Sequence, residues 1–203
     1  MRPRPLRVAL TGGIATGKSH CLKRFVDNGA PVIDADVVAR DVIAPGTPGA
    51  RAVIARFGTL DRKALGDAVF LDAEARADLE AIIHPLVYAA IDDWFLRLRN
   101  APFGIADIPL LFETHRAGDF DRILITSCRP EQQRERLQRR GLSAAEAEAR
   151  IASQLPFEEK LNRARAAGAA VDVIDTSGTP DETNRQVDRL TDVLGSLPPR
   201  VCS

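Results

Sequence analysis

The sequence predicts an α/β fold in which a five-stranded parallel sheet is flanked by helices. Short apolar runs alternate with longer helical patterns, and this order is typical of βαβ units around a parallel sheet. The first two runs and the helical stretch between them fit the roughly 30 residues of one such unit. We expect the five strands at residues 6–11, 31–34, 103–107, 122–126 and 171–175.

The first helix is predicted between the first two strands. Leu22, Phe25 and Val26 recur at helical spacing, and Asn28 with Gly29 supplies a C-terminal stop, because glycine readily adopts the positive φ of a helix end. Residues 45–49 then break the pattern with two prolines and two glycines. The stretch that follows is almost wholly helical, so we expect a helical insertion at about 45–100, with a break at His84 and Pro85.

A polar helix is expected to begin at Pro130, after the fourth strand. Leu137 is its only clearly apolar side chain, which predicts a surface helix. The next helix starts at Ser143, and Glu146 three residues later completes a capping-box pattern. We interpret the arginine-rich region at about 130–157 as a mobile lid, and an amphipathic helix through Val187 as the closing element.

Composition indicates a single domain over residues 1–203. The chain has 45% hydrophobic and 28% charged residues, and its 28 basic residues balance its 28 acidic ones. Charge therefore predicts neither a nucleic-acid nor a membrane partner. The three cysteines, Cys21, Cys128 and Cys202, form no C-x-x-C pair and have no zinc-like spacing. This pattern favours a reducing compartment over a disulfide framework. The first apolar run is too short for a signal segment or membrane span, so we expect a cytoplasmic protein.

A phosphate-binding motif lies between the first strand and the first helix. It matches G-x-x-x-x-G-K-[ST] at every fixed position, and the strand before it and the helix after it aim backbone N–H groups at phosphate. Lys18 can reach the β- and γ-phosphates of a nucleotide, and the Ser19 hydroxyl can bind Mg²⁺. His20 follows; it could donate to phosphate, although we favour a side chain that points to solvent. The motif, here called the phosphate loop, consists of Gly12, Gly13, Ile14, Ala15, Thr16, Gly17, Lys18 and Ser19.

Two carboxylates at the end of the second strand suggest what the nucleotide is used for. Asp34 and Asp36 fall at the edge of the sheet where ligands bind in open parallel sheets. A kinase needs a carboxylate that orients the acceptor hydroxyl or accepts its proton, and Asp36 is our candidate. Asp34 could fix the loop or interact with Mg²⁺ through water. An equally good alternative is that Asp34 ends the strand and Asp36 caps the next helix.

Further candidates follow the third and fourth strands. Asp107 ends a buried strand and could hold water on Mg²⁺, which we favour over a structural role. Glu113 could form a cap or salt bridge, or shape the acceptor pocket. A lid arginine could stabilise the charge of a transferring phosphoryl group, and Arg140 is the best placed because Gly141 beside it suits a hinge.

These motifs together resemble those of the dephospho-CoA kinase family, and the resemblance covers nearly the whole chain. Residues 11–19 match the family's T-G-G-I-x-x-G-K-S, and residues 34–40 match its D-A-D-x-x-x-R. His84 with Pro85, the stretch 109–113, and Arg150-Ile151 with Gln154 recur in the family at similar separations. His20 replaces a usual threonine, and residues 171–176 depart from the family's pattern near the last strand.

The resemblance implies a P-loop kinase fold with a helical acceptor-side region and an arginine-rich lid. It implies transfer of the γ-phosphate of ATP to the ribose 3′-hydroxyl of dephospho-CoA, with Mg²⁺ accompanying ATP. No protein partner is evident from the sequence. Asp36 would be the base, Arg140 a phosphate contact of the lid, and the segment from Asp175 would lie near adenine. We place Asp34, Arg40, His84 and Glu113 in the acceptor site.

Two other functions remain as alternatives. A kinase of shikimate type also combines a phosphate loop with two aspartates, but it would have a glycine-rich turn where this chain has residues 107–110. A non-catalytic nucleotide-binding module is the other alternative. A guanine-specific module would need N-K-x-D, which this sequence lacks.

Overall fold

The computed structural model describes residues 3–98, 101–198, 200 and 201. The strands are β1 (Pro3–Arg4), β2 (Leu6–Gly12), β3 (Val32–Asp34), β4 (Phe103–Asp107), β5 (Arg122–Ser127), β6 (Ala170–Asp175) and β7 (Arg200–Val201). The helices are α1 (Lys18–Asp27), α2 (Ala35–Asp41), α3 (Pro48–Phe57), α4 (Arg62–Leu71), α5 (Ala73–Arg97), α6 (Pro130–Arg139), α7 (Ala144–Ala152), α8 (Phe157–Ala166) and α9 (Pro180–Ser196), together with a short 3₁₀ helix at Ala117–Asp119.

The predicted five-stranded parallel sheet is confirmed. Its strand order is β3-β4-β2-β5-β6, and β1 pairs separately with β7 in an antiparallel ribbon. Each predicted strand begins and ends within one residue of the observed strand. The register places Leu10 beside Asp107, Gly12 beside Thr126, and Ser127 beside Asp175. The carboxyl ends of β2, β4, β5 and β6 therefore meet at one edge of the sheet.

The chain divides into two compact units. The first unit contains the chain up to Val32 and from Leu98 onward, and the second contains Ile33–Arg97. In the first unit, apolar side chains of the strands pack with Cys21 and Phe25 of α1 and with Val187 and Leu194 of α9. This packing fixes the start of α1, and with it the phosphate loop, against the sheet.

The second unit is built from α2, α3, α4 and α5. The first three helices pack against α5, and the buried residues of this unit include Val53, Tyr88, Ile91 and Phe95. Asp61 caps α4 and Thr47 caps α3, each by accepting a backbone N–H. Among the described helices, none combines the length and the apolar character needed to cross a membrane.

The predicted break at His84 and Pro85 is wrong, because α5 runs from Ala73 to Arg97 with Pro85 inside it. An internal proline removes one helical hydrogen bond and costs about 3 kcal/mol or more. The following turns bury Tyr88, Ile91 and Phe95, and burying a large apolar side chain contributes roughly 1.5–3 kcal/mol. Packing of these three side chains therefore exceeds the cost of the proline.

Candidate active site

The phosphate loop connects β2 to α1 by a close turn. An ideal Cβ at Gly12 would lie 2.1 Å from the Thr126 Oγ1 of the neighbouring strand, so a larger residue would push the strands apart. Gly17 has a φ of 88° and occupies the N-cap position of α1, a conformation that glycine adopts without strain. The free N–H groups and positive dipole end of α1 thus face the loop, as an anion site requires.

Two glutamines hold the peptide groups of Ile14. Gln133, on α6, donates its Nε2 to the Ile14 carbonyl at 2.6 Å, and the Ile14 N–H donates to the Oε1 of Gln154 at 2.6 Å. Both side chains are half-buried. The two hydrogen bonds join the predicted lid directly to the phosphate loop.

Three further loop carbonyls are also bound by side chains. The Thr16 hydroxyl donates to the Gly13 carbonyl at 2.7 Å, Arg136 donates to the Ala15 carbonyl at 3.2 Å, and the Thr176 hydroxyl donates to the Thr16 carbonyl at 2.8 Å. Arg136 also donates to the Thr176 carbonyl at 2.7 Å. Because a carbonyl oxygen repels phosphate, fixing these oxygens on protein donors leaves the loop suited to an anion.

Lys18 forms a bidentate ion pair with Asp107. Its Nζ lies 2.5 and 2.6 Å from the two carboxylate oxygens, and Asp107 is only 4% exposed. The predicted nucleotide-binding lysine and the predicted metal-associated carboxylate are therefore in direct contact at the carboxyl edge of the sheet.

Arg140 lies at the same site as the phosphate loop. A cavity of about 350 Å³ is lined by Gly12 through His20 together with Pro109, Arg140 and Gln154. Arg140 is the C-cap of α6, and Gly141 follows it with a φ of 88°. His20 is exposed, and its Nε2 lies 2.9 Å from the Asn184 Oδ1, so its ring has a protein partner as well as contact with solvent.

The three arginines of α6 and its C-cap residue Arg140 have different surroundings. Arg134 pairs with Glu148 and Arg139 pairs with Glu135, both at exposed positions. Arg136 binds the phosphate loop, and Arg140 lines the cavity beside it. Gln133, Arg136 and Arg140 share the helix face of buried Leu137 at spacings of three and four residues, a signal in the sequence that could have identified Gln133 and Arg136.

The segment after β6 is a hydrogen-bonded turn. Hydrogen bonds from the Ser177 hydroxyl and backbone N–H hold the pKa of Asp175 below its usual range. Ser177 also accepts from the Arg129 N–H at 3.0 Å through its hydroxyl and from Gln132 at 2.8 Å through its carbonyl. The turn that resemblance places near adenine is thus bound to the start of α6.

Asp34, Asp36, Arg40 and His84 belong to the second unit. Asp34 is the N-cap of α2, and its Oδ1 accepts the N–H groups of Asp36 and Val37 at 2.8 and 3.2 Å. The alternative that Asp36 caps this helix is therefore wrong. Asp36 and Arg40 are exposed, one turn apart on α2, while His84 is half-buried on α5, the helix against which α2 packs.

Glu113 and Ser19 are both exposed. Glu113 lies in the turn after β4, and its negative charge opposes the pKa decrease that burial causes at Lys160. Ser19 lies in the first turn of α1, next to Lys18. Lys160 is buried, and the sequence analysis did not identify it.

The parallel sheet, the phosphate loop held by lid side chains, and the lysine paired with a carboxylate of the adjacent strand define a nucleotide-dependent phosphotransferase of the P-loop kinase class. A model of the dephospho-CoA kinase family matches residues 6–178. This chain belongs to the dephospho-CoA kinase family.

Individual relatives agree with this assignment. A dephospho-CoA kinase of Thermosynechococcus vestitus is 44% identical, with 95% of this chain and 96% of that protein covered. One from Anaeromyxobacter dehalogenans is 42% identical, with 90% and 89% covered.

Solved structures have the same fold. The Thermus thermophilus protein TT1252 has a TM-score of 0.77 and 31% identity, covering 94% of this chain and 98% of that one. A dephospho-CoA kinase from Campylobacter jejuni, 24% identical over 94% of this chain and 98% of its own, has a TM-score of 0.64 and supports the fold.

Proposed function

We propose that this protein transfers the γ-phosphate of ATP to the ribose 3′-hydroxyl of dephospho-CoA, giving CoA and ADP in the last step of coenzyme A synthesis. The observation that carries the proposal is a complete phosphate loop, with Arg140 lining the same cavity, inside the region that matches the dephospho-CoA kinase family. A cytoplasmic location fits a reaction between two soluble metabolites.

The phosphate loop and the start of α1 would bind the ATP phosphates, and Lys18 would exchange part of its contact with Asp107 for the β- and γ-phosphates. Asp36 would accept the proton as the acceptor oxygen forms its bond to the γ-phosphorus and the bond to the β-γ bridging oxygen breaks. Arg140 would stabilise the charge that spreads over the transferring group. Asp34, Arg40, His84 and Glu113 are the residues that we assign to the acceptor side.

Ser19 and Asp107 are the residues that would hold Mg²⁺. No cluster of three or more His, Cys, Asp or Glu side chains that could hold a metal occurs among the described residues. A hydroxyl and a buried carboxylate still fit this ion, because Mg²⁺ usually takes one or two protein oxygens and completes its shell with phosphate and water. When bound, Mg²⁺ would neutralise charge on the β- and γ-phosphates.

An acceptor panel tests the proposal. ADP release is measured with ATP, Mg²⁺ and one of dephospho-CoA, adenosine, shikimate or no acceptor, and the product is identified by mass. We expect turnover with dephospho-CoA, and its loss in Lys18→Ala but not in Lys23→Ala, a change at an exposed lysine of the same helix. Turnover with shikimate but not dephospho-CoA, or ADP release that needs no acceptor, would contradict the proposal.

A further inference from the structure

Lys160, on α8, is a buried cation. It is 2% exposed, although lysine is almost never fully buried unless it is paired. Within residues 3–98, 101–198 and 200–201, its ammonium group makes no hydrogen bond or ion pair. Burial lowers its pKa, an effect that the charge of Glu113 opposes. An unpaired buried charge costs free energy, so a structural role alone does not account for this lysine.

Lys160 lines a second cavity, of about 370 Å³, in the first unit. This volume lies within the range of ordinary ligand pockets. Most of the wall is apolar and includes Ile125, Ile151 and Phe157. The cavity shares Gly13, Thr16 and Gln154 with the cavity at the phosphate loop. Lys160 thus lines ligand-sized space directly beside the phosphate loop.

We propose that Lys160 binds a phosphate oxygen of a substrate, which would make it the second phosphate-binding lysine of the site after Lys18. The missing counterion would be supplied by the ligand, and the apolar wall suits the uncharged part of the same molecule. This inference rests on the proposed function, whose two substrates both carry the required group: ATP has a triphosphate and dephospho-CoA has a diphosphate.

The test compares Lys160→Met, Lys160→Arg and Lys23→Met. Methionine removes the charge at similar length, arginine keeps the charge, and Lys23 forms an exposed pair with Asp27 and serves as the control. The dissociation constants of ATP and of dephospho-CoA are measured by calorimetry, alongside the KM values and the melting temperature.

We expect Lys160→Met to raise the dissociation constant of one of the two ligands by roughly ten- to a hundredfold, the range for a lost hydrogen bond to a charged group. The melting temperature should stay the same or rise, because the substitution removes an unpaired buried charge. Lys160→Arg should recover part of the affinity, and Lys23→Met should change neither constant. A loss of affinity for ATP would show that Lys160 binds the phosphates of the donor. A loss of affinity for dephospho-CoA would show that it binds the diphosphate of the acceptor.

Unchanged affinity for both ligands would overturn the inference, and so would a large fall in melting temperature without an affinity change, since that result defines a structural lysine. In either case the proposed function stands if the unmodified protein phosphorylates dephospho-CoA. If it does not, the proposed function fails, and the ATP titration decides the role of Lys160.

Discussion

Asp34 and Asp36 are the same residue type two positions apart, yet the structure gives them different surroundings. Asp34 accepts two N–H groups at the start of α2, whereas Asp36 is exposed in the first turn of that helix. An N-cap carboxylate satisfies backbone donors that otherwise lack partners. The structural role therefore belongs to Asp34, and Asp36 is free for another one.

We predict that Asp36→Asn lowers the rate of phosphoryl transfer by roughly two to four orders of magnitude, the range for a lost general base. ATP binding and the melting temperature should change little, because Asp34 still caps α2 in this variant. Steady-state kinetics with dephospho-CoA and calorimetry with ATP measure both effects.

Asp34→Ala is the matched control for the structural role. It should lower the free energy of unfolding by about 1 kcal/mol through loss of the cap. An Asp36→Asn protein that turns over within a few-fold of the parent would remove Asp36 as the base, and Asp34 would be the next candidate.

At the scale of elements, α6 is a surface helix whose inner face holds the phosphate loop. Leu137 is its buried apolar residue, and Gln133 and Arg136 on the same face bind the carbonyls of Ile14 and Ala15. Gln154, just after α7, binds the N–H of Ile14. A movement of α6 or of the segment after α7 would therefore break hydrogen bonds to the phosphate loop or shift the loop backbone. The same hydrogen bonds oppose such a movement.

We predict that Gln133→Met and Gln154→Met each weaken ATP binding by roughly two- to tenfold, which corresponds to one hydrogen bond. The double variant should lose less than the product of the two effects, because both side chains hold peptide groups of one residue. ATP dissociation constants for the four proteins of this cycle measure the coupling.

Gln138→Met is the control, since Gln138 is exposed on the same helix. Independent effects of the two substitutions, or unaltered ATP binding in both, would show that the glutamines do not position the loop.

At the scale of the whole molecule, acid stability depends on individual carboxylates more than on net charge. The 28 acidic and 28 basic residues balance at neutral pH. Hydrogen bonds from Arg24 and then from Asn28 lower the pKa of Asp188 to about 2. Since Asp188 lies on α9 and its two partners lie at α1, this contact joins the helix of the phosphate loop to the end of the chain.

We predict that Asp188→Asn is less stable than the parent at pH 7 and that this difference disappears as the pH falls from about 4 to about 2. The pKa is lower in the folded protein than the unfolded value of about 3.9. The carboxylate therefore stabilises the fold fully above that value and loses its contribution as it becomes protonated near 2. Urea unfolding at pH 7, 4, 3 and 2 measures the difference.

Asp192→Asn, at an exposed position one turn later on α9, is the control and should change the free energy of unfolding at pH 7 less than Asp188→Asn does. If Asp188→Asn were less stable than the parent by the same amount from pH 7 to pH 2, the carboxylate charge would not be what joins α1 and α9.

The sequence by itself determined the strands of the central sheet and the phosphate loop. Both are written in local patterns: apolar runs of strand length, and a glycine-lysine string whose spacing has few other uses. The capping boxes at Ser143 and Thr179 are equally local, and the first of them was predicted. The roles of Asp36, Arg40, His84 and Glu113 are still predictions.

Only the tertiary structure decided which side chains bind the phosphate loop. It also decided that α5 continues through Pro85. Gln133 and Gln154 lie 119 and 140 residues from Ile14, and no local pattern shows such a contact. The helix continues through Pro85 because residues brought from other helices bury its later turns, and Lys160 is buried although its own segment is largely polar. Burial and long-range hydrogen bonds depend on the folded arrangement, so periodicity and motif spacing do not determine them.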